Sequence, residues 1–65
     1  MIEPYFITDE READAYLHDL LERLDHPSIE EVHLHAHHRI RDRDENLRRY
    51  FITKGKEMLD AIQRP

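Results

Sequence analysis

The sequence contains no cysteine and no long apolar run, and each absence excludes a class of protein. Without cysteine, the 65-residue chain forms neither a disulfide framework nor a metal-thiolate site. No apolar run approaches the ~20 residues that cross a bilayer, and residues 1–4 lack the basic start and apolar stretch of a secretory signal. We therefore expect a cytoplasmic protein without a membrane partner. A net charge of −5 also argues against nucleic-acid binding over the whole surface.

The short chain limits the core that the protein can bury. Residues 1–65 make one small domain, which buries only about 60% of the surface that its unfolded form exposes. Apolar and charged residues each make up 38% of the sequence. This is polar for a globular protein, but the chain is too rich in Leu, Ile, Phe and Tyr for a disordered one. The thin stability margin favours association with a second copy or with a partner protein.

The first part of the chain predicts a short strand followed by an amphipathic helix. Residues 2–8 contain Tyr-Phe-Ile-Thr, a β-branched and aromatic run that is typical of a strand. Thr8 or Asp9 is placed to cap a helix, and Glu12, three residues after Asp9, completes a capping box. Apolar residues then recur at helical spacing as far as Leu24, and Pro27 ends the pattern. We therefore predict a helix over residues 9–25.

Residues 28–40 fit two structures. As a helix, they have Ser28 and Glu31 spaced as a capping box and an apolar stripe formed by Ile29, Val32, Ala36 and Ile40. As a strand, they place every aliphatic residue from 32 to 40 on one face, whereas the helix leaves Leu34 among polar neighbours. Because this alternation separates the aliphatic residues from the polar ones, we predict a strand.

Residues 44–63 also fit two structures. Tyr-Phe-Ile-Thr recurs at residues 50–53 and predicts a strand over 47–53, followed by a helix over 55–63. The alternative is one helix over 44–63, with a single apolar face formed by Leu47, Phe51, Met58 and Ile62. In that alternative, Gly55 costs the helix about 1 kcal/mol.

The preferred order β-α-β-β-α predicts an α+β fold, with a small antiparallel-type sheet and two helices on one face. This order resembles a ferredoxin-like βαββαβ fold that stops before its last strand. The sheet edge that the missing strand leaves open would be protected by the pairing of two copies, so we expect a homodimer. The alternative with the long helix over 44–63 gives an α-rich fold instead.

Histidine is unusually frequent, with six in the chain, four of them in the run His-Leu-His-Ala-His-His at residues 33–38. Alternate residues of a strand point the same way, about 6.5–7 Å apart. His33, His35 and His37 would then form a ladder from which two adjacent rings bind one metal ion, with zinc as the possible cofactor. The simpler interpretation is that these histidines occupy the solvated face of a strand.

Arginines extend the same predicted face and indicate a second use for it, in binding nucleic acid or a protein partner. Phe6 and Phe51 would stand on the open sheet as stacking platforms, an arrangement similar to that in RNA-recognition-motif domains. The alternative places both phenylalanines in the core. The candidate binding residues are His33, His35, His37, Arg39, Arg41, Arg49, Phe6 and Phe51.

No pattern in the sequence indicates catalysis. Capping and solvation explain the carboxylate pairs, no base is evident for Ser28 or Thr53, and Lys-Gly-Lys at residues 54–56 is too short for a phosphate loop. We therefore expect a non-enzymatic protein-interaction or regulatory module, such as a small inhibitor or adaptor of bacterial or phage type, acting as a homodimer. The alternatives are a nucleic-acid-binding module that uses the His/Arg face and a histidine-based metal-binding protein.

Overall fold

Three α-helices make up the regular structure of residues 6–63, the part of the chain that the computed structural model describes. They are α1 Glu10–Arg23, α2 Ile29–Arg39 and α3 Glu45–Gln63. Since residues 6–63 form no strand, the predicted α+β, ferredoxin-like fold is wrong, and the α-rich alternative is observed. Within this part of the chain, no helix combines the length and the apolar character needed to pass through a membrane.

Helix α1 begins and ends close to where the sequence predicts. Asp9 is extended, and its Oδ1 accepts a hydrogen bond from the backbone N–H of Glu12 at 2.8 Å. This cap satisfies one of the free donors of the first turn. At the other end, the N–H of Leu24 donates to the carbonyl of Leu20 at 3.2 Å, and the chain turns away towards Pro27. The prediction of a helix over residues 9–25 is confirmed, with its outer residues serving as caps.

The predicted strand over residues 32–40 is wrong, because these residues belong to α2 and its C-cap. Val32, Ala36 and Ile40 are four residues apart, so they share a face in a helix as well as in a strand, and all three are buried. The strand was predicted because a helix would leave Leu34 outside the apolar stripe. In the observed helix, Leu34 does lie away from the core and is 50% exposed. A single exposed leucine is common in folded proteins, so it gives weak grounds for a strand.

The predicted strand over residues 47–53 is also wrong, because one continuous helix runs through them. The two Tyr-Phe-Ile-Thr runs therefore differ, since residues 6–8 have no regular secondary structure and residues 50–53 are helical. Residues 2–5 of the predicted first strand lie outside the described part. Ile7 is fully buried, and its N–H donates to the carbonyl of Arg39 at 2.8 Å. Tertiary contacts thus decide the structure of this tetrapeptide.

Helix α3 is the centre of the bundle, since α1 and α2 pack mainly against it and little against each other. The hydroxyl of Tyr50 donates to Asp14 at 2.9 Å near the start of α3, and Gln63 at its end donates to the carbonyl of Pro27 at 3.3 Å. Helices α1 and α3 therefore run in the same direction, and α2 runs back between their ends. The buried core consists of Ile7, Ala13, Leu17, Leu21, Val32, Ala36, Ile40, Phe51 and Leu59.

Gly55, the one glycine in the sequence, lies where the three helices meet. A methyl group at this position would lie 2.6 and 3.0 Å from the two Cγ atoms of Val32 and 3.1 Å from Cδ2 of Leu17. The side chain of Val32 cannot move aside easily, because β-branched residues have little χ1 freedom in a helix. The missing side chain of Gly55 therefore allows both neighbouring helices to lie close to α3.

We expect Gly55→Ala to destabilise the protein although alanine is the better helix former. Overpacking of a core costs about 1–3 kcal/mol, and the gain in helix propensity offsets at most about 1 kcal/mol of this. Urea denaturation should show a free energy of unfolding lower by about 1 kcal/mol. Thr53→Ala, at an exposed position of the same helix, is the control and should keep the stability of the original chain or raise it.

The same packing can be tested by removing the side chain that a new methyl group would meet. Val32→Ala leaves room beside position 55, so Val32→Ala combined with Gly55→Ala should cost less than the sum of the two single changes. Strict additivity, or a Gly55→Ala variant more stable than the original chain, would show that the close approach of the helices does not depend on this glycine.

Candidate interaction surfaces

The four clustered histidines of α2 do not share one face, because a helix turns by about 100° per residue. His33, His37 and His38 are exposed, and the rings of His37 and His38 lie 5.4 Å apart. The side chain of His35 is only 27% exposed and contacts α1. The predicted ladder of His33, His35 and His37 depends on a strand and does not form. Among residues 6–63, no group of three or more His, Cys, Asp or Glu side chains is arranged to hold a metal ion.

The arginines and phenylalanines that were predicted to share one sheet face also lie on different parts of the structure. Phe51 is fully buried in the core, so it presents no surface for stacking. Phe6 is half-buried, and the guanidinium carbon of Arg41 lies 5.2 Å from the centre of its ring, in a cation–π contact. Arg39 is half-buried at the end of α2, whereas Arg49 is exposed on α3. The eight predicted residues therefore lie on two helices, the loop between them and the N-terminal segment, instead of on one sheet face.

Tyr16 of α1 and His35 of α2 join the two helices that otherwise contact each other little. The hydroxyl of Tyr16 lies 2.7 Å from Nδ1 of His35, and the ring of Tyr16 also lies 5.9 Å from that of Phe51. In the neutral imidazole that carries its proton on Nε2, Nδ1 accepts the hydrogen bond from the tyrosine. Nε2 then faces the carboxylate of Glu31 at 4.0 Å. A protonated imidazole would instead donate from Nδ1 to the tyrosine oxygen, so this contact alone does not decide the protonation state of His35.

The surroundings of His35 favour the neutral form. Partial burial lowers the pKa of His35, the carboxylate of Glu31 opposes this change, and the positive charges of Arg39 and His38 add to it. A histidine with a lowered pKa in the folded state binds fewer protons than it does in the unfolded chain. Its contribution to stability is therefore complete above the ordinary imidazole pKa of about 6.5 and is lost as the pH falls through the lowered value.

An apolar groove lies between α1 and the C-terminal part of α3, and we call it the α1–α3 groove. Ile62 continues the buried stripe of α3 by one turn, yet it is 55% exposed. The reason is that α1 ends at Arg23, two residues after Leu21, its last buried residue, and leaves Ile62 partly uncovered. The residues that line the groove are His18, Leu21, Glu22, Met58, Ala61 and Ile62.

Helix α1 gives this groove acidic surroundings. Residues 9–25 contain seven carboxylates and two arginines, so this segment has a net charge equal to the −5 of the whole chain. Glu22 at the groove lies 3.7 Å from Nδ1 of His18. Asp19 pairs with Arg23 one turn away, so these two charges cancel and the net charge of the segment is unchanged. A ligand that complements this surface is apolar where it enters the groove and basic where it passes α1.

A second groove lies between α2 and α3, and it is lined in part by His33. Its apolar residues include Ile29 and Ile52, but Lys56, Glu57 and Asp60 also line it. Because side chains of both signs are present, charge does not select an occupant here. The α1–α3 groove is therefore the more selective of the two surfaces.

Sequence reasoning missed Tyr16 and gave Ile62 a different role. Nothing in the local sequence places Tyr16 beside a histidine 19 residues later, because this contact depends on how two helices pack. The apolar spacing predicts that Ile62 belongs to the buried face of a C-terminal helix, and it does lie on that side of α3. Its exposure follows from length, since α3 has 19 residues and α1 has 14. The different lengths of the first helix and of a continuous C-terminal helix were therefore the sequence signal for the exposure of Ile62.

The lowered pKa of the half-buried His35 predicts a particular loss of stability in acid. Urea denaturation at low micromolar protein concentration should give a free energy of unfolding that falls between about pH 7.5 and about pH 5.5. His35→Asn keeps an acceptor near the position of Nδ1 but cannot be protonated, so it should make this fall smaller. His26→Asn removes an exposed imidazole from the loop and serves as the matched control. An identical pH profile for His35→Asn and the original chain would contradict the assignment.

Comparisons with known protein families, with curated proteins and with solved structures found no match. The function is therefore inferred from the geometry and the charge of the described residues. Of the surfaces described above, the α1–α3 groove is both open to a partner and selective in its chemistry.

Proposed function

We propose that the protein is a non-enzymatic protein-interaction module of the adaptor or inhibitor type, and that the α1–α3 groove binds an amphipathic helix of a partner protein. The main support is Ile62, a large apolar side chain that is 55% exposed although it continues the core stripe of α3. A single exposed apolar residue needs no explanation, but Ile62 stands beside Met58 and Leu21 in a groove. Leu21 is buried and Met58 is half-buried, so they form the floor of an apolar groove beside the exposed Ile62, and concave apolar sites of this kind are typical of binding surfaces.

The dimensions of the groove suit a helix as its occupant. Met58 and Ile62 are one helical turn apart, about 6 Å along α3. Side chains spaced by three or four residues on an incoming helix have the same separation, so two of them can pack beside Met58 and Ile62. This would complete a fourth side of the bundle, with the partner helix lying against both α1 and α3.

The charge of α1 sets the second property of the partner. Glu22 borders the groove, and α1 is strongly acidic. Lysine or arginine on the edges of the incoming helix would therefore be attracted, whereas acidic edges would be repelled. Since these charges are exposed, we expect them to affect association rate and selectivity more than affinity, and to lose their influence at high salt.

The other functions considered for the sequence receive less support. Nucleic-acid binding relied on a shared face for the histidines and arginines, and the described residues do not share one. Zinc binding relied on the same face. The Tyr16–His35 pair is a hydroxyl beside an imidazole, but it packs against the core residue Phe51 and lines neither of the two grooves described above.

A synthetic amphipathic helix tests the proposal directly. The probe is a helical peptide with leucines at i and i+4 and with lysines on its flanks, and its binding is followed by fluorescence anisotropy. Ile62→Ser should weaken binding about tenfold or more, because burial of an isoleucine side chain contributes about 1.5–3 kcal/mol. Leu34→Ser, which removes a similarly exposed apolar side chain from α2, is the matched control and should bind as the original chain does.

A second peptide tests the charge requirement. The same leucines flanked by glutamates should bind more weakly at low salt, and the difference between the two peptides should shrink as salt is added. Equal effects of Ile62→Ser and Leu34→Ser would indicate unspecific apolar adhesion. No binding of either peptide to the folded original chain would overturn the proposed occupant of the groove.

A further inference from the structure

Helix α2 has an exposed surface that packs against neither α1 nor α3. Leu34 is 50% exposed, and it is the sixth of the 11 residues in this helix, so it lies at its midpoint. Glu30 lies one turn before it, and His37 and His38 lie one turn after it, all three exposed. We call Glu30, Leu34, His37 and His38 the outer face of α2. It lies on the side of the helix away from the buried residues Val32 and Ala36.

The charge of this surface changes from one end to the other. The first turn of α2 contains Glu30 and Glu31, and the last turn contains His37, His38 and Arg39. The acidic and the basic groups lie at similar distances from Leu34, on either side of it. Two copies of such a surface are complementary in charge when the helices are antiparallel, because the acidic end of each then lies beside the basic end of the other.

We propose that two copies of the chain pair through the outer face of α2, with their α2 helices antiparallel and Leu34 of each copy at the two-fold axis. The two leucines then contact each other at the centre. Glu30 of each copy lies opposite His37 and His38 of the other, and symmetry produces this contact twice. Parallel pairing would instead place glutamates beside glutamates and histidines beside histidines. The antiparallel arrangement also brings the positive end of each helix dipole beside the negative end of the other.

The contacts across the axis are suited to mild acid. A neutral imidazole donates one hydrogen bond to a carboxylate, whereas a protonated imidazole forms the stronger, charge-assisted bond. Within one copy, His37 faces His38 at 5.4 Å, with His35 and Arg39 of the same helix nearby. Helices α1 and α3 pack on the other side of α2, so the groups that face His37 and His38 are those of α2 itself and, across the axis, the partner's glutamates. Because a protonated imidazole binds a carboxylate more strongly than a neutral one, pairing should strengthen as the pH falls towards about 6.

This surface is separate from the α1–α3 groove, so the two can be occupied at the same time. The paired helices contact each other over at most about 16 Å, the length of 11 helical residues. Such an interface is small and belongs with the weak, transient ones, which form at high protein concentration or in a larger assembly. The inference therefore does not depend on the proposed function, and either can fail without the other.

Sedimentation equilibrium of the full chain tests the pairing. At about pH 6 we expect the monomer mass at low micromolar concentration and the dimer mass as millimolar concentration is approached, with weaker association at about pH 7.5. Leu34→Asp should abolish the dimer, and Ile62→Ser should leave it unchanged. Circular dichroism confirms that each variant is folded. Monomers at every concentration and pH, or a dimer lost with Ile62→Ser and kept with Leu34→Asp, would overturn the proposal.

Two charge variants test the antiparallel arrangement. One has Glu30→Lys, and the other has His37→Glu and His38→Glu. At about pH 6, each alone places like charges across the axis and should associate at least tenfold more weakly than the original chain. An equimolar mixture should recover association, because the lysine of one variant then faces the glutamates of the other while the second contact keeps its original residues. A mixture that associates no better than its components would rule out the antiparallel pairing.

Discussion

The close approach of three helices at Gly55 is the constraint on which the rest of the structure depends. A bundle in which α1 and α2 hardly touch each other can be compact only if both lie near the third helix. Val32 and Leu17 occupy the space that a side chain at position 55 would fill. A wider separation there would also move α1 relative to α2, and the 2.7 Å contact between Tyr16 and His35 allows little movement. The one position without a side chain therefore governs a polar contact elsewhere in the bundle.

The sequence was informative where its signals are local and agree with each other. The cap at Asp9 and the apolar spacing of residues 13–24 both indicate a helix, and α1 is observed there. In the other two helices, local signals conflict with the final structure. Val32, Ala36 and Ile40 are four residues apart, a spacing that places them on one face of a helix and also on one face of a strand. The tetrapeptide at residues 50–53 is rich in β-forming residues and favours a strand on its own. The long helix over 44–63 is only the alternative on sequence grounds, because glycine weakens an isolated helix and the packing role of Gly55 depends on the other two helices.

The candidate surfaces could be predicted in composition but not in geometry. The histidine-rich segment was apparent from the sequence, yet an error in secondary structure moved its members onto different sides of a helix. His35 became a partner of Tyr16, and His37 and His38 remained on the surface. The α1–α3 groove depends on where two helices end relative to each other, which no local pattern specifies. Secondary structure had to be known before any grouping of side chains could be inferred.

The central position of α3 has a consequence for synthesis of the protein. The ribosome makes α1 and α2 first, and these two helices share few contacts, so a nascent chain that ends before residue 45 has almost no core to form. Helices of 14 and 11 residues are marginal in water on their own. Cooperative folding must therefore wait until Phe51, Gly55 and Leu59 have left the exit tunnel. During that interval the apolar stripes of the first two helices are available to chaperones and proteases.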